Sequence, residues 1–169
     1  GFANAAIDRV AADRAGFTKG IAAFGESDFF CYRADTPEEL AARQQAQWGK
    51  WVRWAETRYH VRFAIVEGII HRSQPPETLR LLRAAVEELD HFQLAAASKL
   101  THLSGSLIAV LALAQSAVDA GDLWPDLMLD ELWQEEQWGA DEFALKNRRD
   151  REAEFAEAAR FMSLAQKSS

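Results

Sequence analysis

Carboxylates and a histidine at helical spacing are the residues of this chain best suited to chemistry. Glu88-Leu89-Asp90-His91 is a Glu-x-x-His, the unit by which di-iron helical bundles hold metal. Glu131 and Glu135, four apart, could supply further carboxylates from another helix, which would make a carboxylate-bridged metal enzyme. Such a centre needs a second Glu-x-x-His, and His60, His71 and His102 have no Glu three residues before them. The single copy also straddles Asp90, which reads as a helix cap. A capping turn with a surface histidine is the simpler reading, and the metal site (Glu88, His91, Glu131, Glu135) stands as the alternative.

Other reactive patterns are missing. No Walker phosphate loop occurs, since "GFTKG" has neither the spacing nor the Gly-Lys-Ser/Thr end. There is no Gly-rich dinucleotide fingerprint and no Gly-x-Ser-x-Gly elbow. Cys31, the one cysteine, lies between Phe30 and Tyr32 with no cationic cluster to favour its thiolate, so it reads as a small packed residue. No catalytic motif is read from these residues.

The stretch "LMLDELWQEEQWGAD", residues 127–141, is the harder case. As one helix turning about 100° per residue, it puts Trp124, Leu127, Met128 and Trp138 on one side, with Glu131 and Glu135 pointing the same way. Burying unpaired carboxylates is expensive, so that face either stays wet or awaits a counter-charge. One source is internal, an arginine such as Arg58, Arg62 or Arg80. The other is a partner, to which tryptophans offer buried area and acids offer specificity. The cluster "KNRRDR", residues 146–151, is most simply a solvated helix face neutralised by neighbouring acids.

The elements that must position these residues are helices. Residues 3–24 read as an Ala-rich helix ended by Gly25, followed by the aromatic connector "ESDFFCYRAD". Thr36-Pro37-Glu38-Glu39 reads as a capped start for a helix running to about Arg58. That helix carries Trp48, Trp51 and Trp54, whose spacing of three forbids all of them facing one core equally. "VRFAIVEGIIH" is β-branched with a central glycine, which predicts a short hairpin over 61–71. Further helices are predicted over 76–89, 91–117, 122–138 and 141–166, with Asp90 capping the second and Gly139 separating the last two. "LSGSLIAVLALAQSAV" holds no charge but is shorter than the roughly 20 apolar residues of a membrane span. It is expected to be the buried central helix, with no membrane insertion. The fold class is therefore mainly α, a compact multi-helix domain around one buried apolar helix.

The chain has 169 residues, enough for one domain, and a net charge of −7, which argues against a nucleic-acid partner.

Several stretches, in order, resemble one family. "ANAAIDRV", "ESDFFCYRAD", "WVRWAETRYHVRF", "GSLIAVLALA" and "LDELWQEEQWGADEF" are similar to the F(1)-ATPase assembly chaperones that act on the alpha subunit, found in mitochondria and alphaproteobacteria. The resemblance runs over nearly the whole chain. It implies a single helical domain over 1–169, the C-terminal part of a longer two-domain chaperone whose β-rich domain precedes it. It also implies a non-catalytic chaperone that binds the alpha subunit before the beta subunit replaces it, with no nucleotide, cofactor or metal. The expected setting is the alphaproteobacterial cytoplasm or the mitochondrial matrix, and a monomer is expected. The family's acidic stretch maps onto residues 129–139, where Asp130, Glu131, Trp133, Gln134, Trp138 and Gly139 fit. Leu132 replaces its usual third acid, and Glu135 stands where an aliphatic is common. The resemblance thus implies partner binding by Glu131, Asp130, Gln134, Glu135 and Trp138.

Overall fold

Side-chain caps decide where the helices begin, and they cut the chain more finely than hydrophobic periodicity suggests. The computed structural model describes residues 2–167, with side chains from 5 to 164. The helix expected over 3–24 is two helices, α1 (Phe2–Ala12) and α2 (Arg14–Ala22). Asp13 divides them: its backbone leaves the helical region and its carboxylate accepts the Gly16 N–H at 3.1 Å. Then come the connector, a two-residue strand β1 (Tyr32–Arg33), and α3 (Glu38–Tyr59). Thr36 does not cap α3; Pro37 is extended and occupies the N-cap position with no side-chain hydrogen bond. The remaining elements are β2 (Val66–Glu67), α4 (Pro76–Glu87), α5 (His91–Ser104), α6 (Leu107–Ala114), α7 (Ala120–Leu127), α8 (Leu129–Trp138) and α9 (Glu142–Lys167).

The middle of the uncharged run, Leu107–Ala114, is the centre, while residues 115–117 at its end are exposed. Every residue from Leu107 to Ala112 is fully buried. Helix α3 packs against α6 from one side, and α5 and α9 pack against it from others; α9 also lies along α5. Asp90 caps α5 in a capping box with Gln93, as the sequence predicts. Among the described residues no helix is long and apolar enough to cross a membrane.

The long helix expected over 91–117 breaks at Gly105, whose φ of +71° is a left-handed conformation that glycine tolerates. Ser106 then starts α6, its hydroxyl accepting the Ala109 N–H at 3.0 Å. The connector supplies the rest of the cap. Asp28 is fully buried; its Oδ1 accepts from the Ser106 hydroxyl (2.8 Å) and the Phe30 N–H (3.0 Å), and its Oδ2 from the Ile108 N–H (2.8 Å). Burial pushes the Asp28 carboxyl up from 3.8 to about 6, against those donors, which act to lower it. Cys31 beside it is fully buried and its thiol is pushed up by the same burial, in keeping with a packed residue.

The hairpin predicted over 61–71 does not form. The pairing is instead parallel, between β1 and β2, with Tyr32 opposite Val66 and Arg33 opposite Glu67. Backbone groups that a hairpin would pair are taken by side chains. Phe63 N–H donates to Glu56 Oε2 (2.9 Å), and the buried Gln74 amide bonds both the N–H and the C=O of Ala64 (2.7 and 2.9 Å). The buried Thr78 hydroxyl donates to the Arg62 carbonyl at 2.6 Å. These three side chains thus take the place of a partner strand, and Ile69 and Ile70 are left exposed.

Candidate partner-binding surface

The acid-rich stretch does not form one continuous helix. It divides at Met128 into α7 and α8, which separates the residues expected on a single face. The reason lies on α3. The Trp48 indole donates to the Asp126 carbonyl at 2.6 Å, the oxygen that a continuous helix would offer to the N–H of residue 130. Trp51 donates to Asp126 Oδ2 (2.7 Å), and Lys50 pairs with that same oxygen (3.0 Å). Trp48 is buried while Trp51 and Trp54 are half-buried, so the three divide as their spacing requires.

After the break, Trp124, Leu127 and Met128 are core residues, and α8 presents a different surface. Leu129 and Trp133 point inward. Asp130, half-buried, accepts from Gln44 Nε2 at 2.7 Å, and Gln44 Oε1 accepts the Ala34 N–H at 2.7 Å. Glu131 accepts from Arg151 Nη2 with both carboxylate oxygens, at 2.7 and 2.8 Å. Glu135 pairs with Arg148 at 2.6 Å. Gln134 is exposed between them, and Trp138 is 82% exposed at the end of the helix. Glu136 adds a third link, to Arg43 at 2.8 Å, and that guanidinium lies over the Trp133 ring at 4.9 Å.

The internal partner of Glu131 is therefore none of the three arginines considered from the sequence. Arg58 donates to Gln115, Arg80 pairs with Glu77, and Arg62 uses its backbone on Thr78. Arg148 and Arg151 belong to the cluster read as a solvated face, and they cross to α8 instead. Stepping four residues back along α8, from Glu135 to Glu131, is matched by three forward along α9, from Arg148 to Arg151. Two acids four apart before a glycine, then two arginines three apart after it, are the pattern of an antiparallel helix pair, and that signal was legible. Gly139, at φ +77° and ψ 175°, makes the turn between the helices.

The Glu131–Arg151 pair is at the surface, whereas the Glu135–Arg148 pair lies deeper, with side chains 32% and 18% exposed. The Glu131 and Arg151 side chains are 44% and 31% exposed, so the pair is neither a buried ion pair nor a free acid. Between the two helices runs an open groove of about 530 Å³, lined by Gln134, Gly139, Ala140, Phe143 and Ala144 with the two pairs. Phe143, which sequence reasoning passed over, is 79% exposed there.

The alternative metal centre is not assembled. Glu88 sits exposed at the end of α4, His91 opens α5, and Glu131 and Glu135 face arginines on another helix. Among the described residues no three His, Cys, Asp or Glu come together in a way that could hold a metal.

Comparison with known proteins agrees with this architecture. Residues 1–56 match the family description "ATP12 chaperone protein". The crystal structure of Atp12 from Paracoccus denitrificans superposes with a TM-score of 0.92 at 36% identity, over 96% of this chain and 70% of that one. A crystal structure of an Agrobacterium tumefaciens protein superposes with a TM-score of 0.86 at 39% identity, over 94% of this chain and 59% of that one. With identity and coverage of that order sustained along the helical fold, the chain belongs to the ATP12 chaperone family.

Proposed function

We propose that this protein is a chaperone for assembly of the F(1) sector of ATP synthase that binds the alpha subunit before the beta subunit takes its place. Membership of the ATP12 chaperone family is the observation that carries this reading. The proposed contact is the outer rim of α8, with Glu131, Asp130, Gln134, Glu135 and Trp138. Support for that rim comes from its exposed tryptophan, an unusual surface residue that interfaces favour. The protein works without catalysis and without nucleotide, as a monomer. Its proposed place of action is the cytoplasm of an alphaproteobacterium, in keeping with the sources of the two similar structures.

The test is aggregation of dilute, unfolded alpha subunit on dilution from denaturant. The protein should suppress light scattering without ATP, and pull-downs should retain alpha subunit rather than isolated beta subunit. An absolute ATP requirement, or equal protection of unrelated proteins, would count against a specific chaperone.

A further inference from the structure

The charges on the α8 rim are unequal once their partners are counted. Four carboxylates line the groove between α8 and α9 (Asp130, Glu131, Glu135 and Asp141) against two guanidiniums, Arg148 and Arg151. The guanidiniums belong to Glu135 and Glu131. Asp130 takes a hydrogen bond only from the neutral Gln44 amide, and Asp141 takes one from the Ala144 N–H at 2.7 Å as the cap of α9. Neither bond neutralises its carboxylate. Two acids are therefore paired with a cation within the chain, and two are not.

Their positions matter. Asp130 lies in the first turn of α8 and Asp141 beyond its last, so they stand at opposite ends of the groove. The helix has 10 residues, and at 1.5 Å per residue the two charges are separated by about 15 Å along it. Between them the groove is lined by Phe143 and Ala144 of α9 and Ala140 of the turn, with the polar Gln134 and Asn147 and the two ion pairs beside them. Each Glu–Arg pair joins α8 to α9, and Arg151 also reaches Met128 Sδ at 3.8 Å. An incoming cation would have to displace a resident guanidinium to use Glu131 or Glu135.

We infer that this groove receives a partner segment with an apolar centre and a basic side chain on either side, gripped by Phe143 and by the charges of Asp130 and Asp141, while the Glu131–Arg151 and Glu135–Arg148 pairs act as a frame that holds the two helices apart. Charge complementarity selects the basic flanks, because a segment with acidic flanks would bring like charges to both ends. An extended segment at about 3.3 Å per residue spans the groove with its two cations about five residues apart. The inference rests on the proposed role of the α8 rim in binding a client; it keeps Asp130 from that rim and adds Phe143 and Asp141.

Two probes keep the two readings apart. The first is unfolded alpha subunit. Phe143→Ala should weaken its binding about tenfold, the loss of an exposed aromatic contact, with an unchanged melt. The charge swap Lys146→Asp with Asp150→Lys, an exposed pair on α9 outside the groove, is the control and should bind like wild type. The second probe is a set of synthetic peptides with two lysines five residues apart around leucine and phenylalanine, against the same peptides with glutamates. The wild-type chain should hold the lysine set alone, and Phe143→Ala or Asp130→Asn should release it. Alpha-subunit binding that ignores Phe143 overturns the groove inference and leaves the chaperone reading intact. Lysine peptides held by a chain that ignores alpha subunit overturn the chaperone reading alone. Neither probe bound overturns both.

Discussion

Two regions of this molecule hold carboxylates in opposite ways. At the junction of α5 and α6, Asp28 is fully buried with no cation among its hydrogen-bond partners, and both oxygens are saturated by a hydroxyl and two backbone N–H groups. On the α8–α9 rim, Glu131 meets a guanidinium at the surface. The first arrangement fixes the start of the most buried helix and has no access to solvent. The second is weak by the standards of ion pairs, because water screens it. Comparing them separates an acid that belongs to the fold from one that can be rearranged without unfolding it.

The largest expected effect tests whether the Asp28 region surrounds the real centre. Leu107→Ala and Leu111→Ala each remove a fully buried side chain, and should cost about 2–5 kcal/mol. Chemical unfolding measures this, and a loss under about 1 kcal/mol would mean that α6 is peripheral.

Next comes the titration of Asp28. Its folded value, about 6, lies above the ordinary 3.8, so the folded chain holds a proton that the unfolded chain has already released. Stability from this group therefore rises as pH falls from about 6 towards 4, by roughly 3 kcal/mol in all. Asp28→Asn cannot titrate, so unfolding curves of the two proteins should diverge in slope across that window. Parallel curves would show that the buried carboxylate is already neutral or already compensated.

A smaller effect is expected on the rim. Glu131→Lys places a cation beside Arg151, yet both positions are substantially exposed, so the loss should stay near 1 kcal/mol. The 3–5 kcal/mol typical of breaking a buried pair is not expected. A melt showing the larger figure would erase the contrast between the two regions. Smallest of all, Trp138→Ala should change stability by no more than about 0.5 kcal/mol, since the ring is 82% exposed. A larger loss would place Trp138 in the fold rather than at a contact.

Local chemistry was readable wherever one segment decided its own state. The Asp90 and Gln93 capping box and the Gly139 break each depend on neighbours within a turn and appear where the residue types put them, and the apolar centre falls within the uncharged run at Leu107–Ala114. A resemblance along the chain likewise identified the family, because five stretches in order carry it. What sequence reasoning missed depends on residues far apart. The hairpin over 61–71 fails because Gln74 and Thr78 take its backbone groups. The helix over 122–138 breaks where the Trp48 indole, 78 residues away, takes the Asp126 carbonyl. Asp28 looks like an ordinary connector acid until Ser106 and Ile108 are brought to it. Composition and spacing thus determined a mainly helical domain with an apolar centre and an acidic rim, because hydrophobic burial and capping act over a few residues. Which arginine each rim acid meets, and which acids meet none, was decided only when α8 and α9 packed, because hydrogen bonds and ion pairs act over about 3 Å and distances that short are set by the fold.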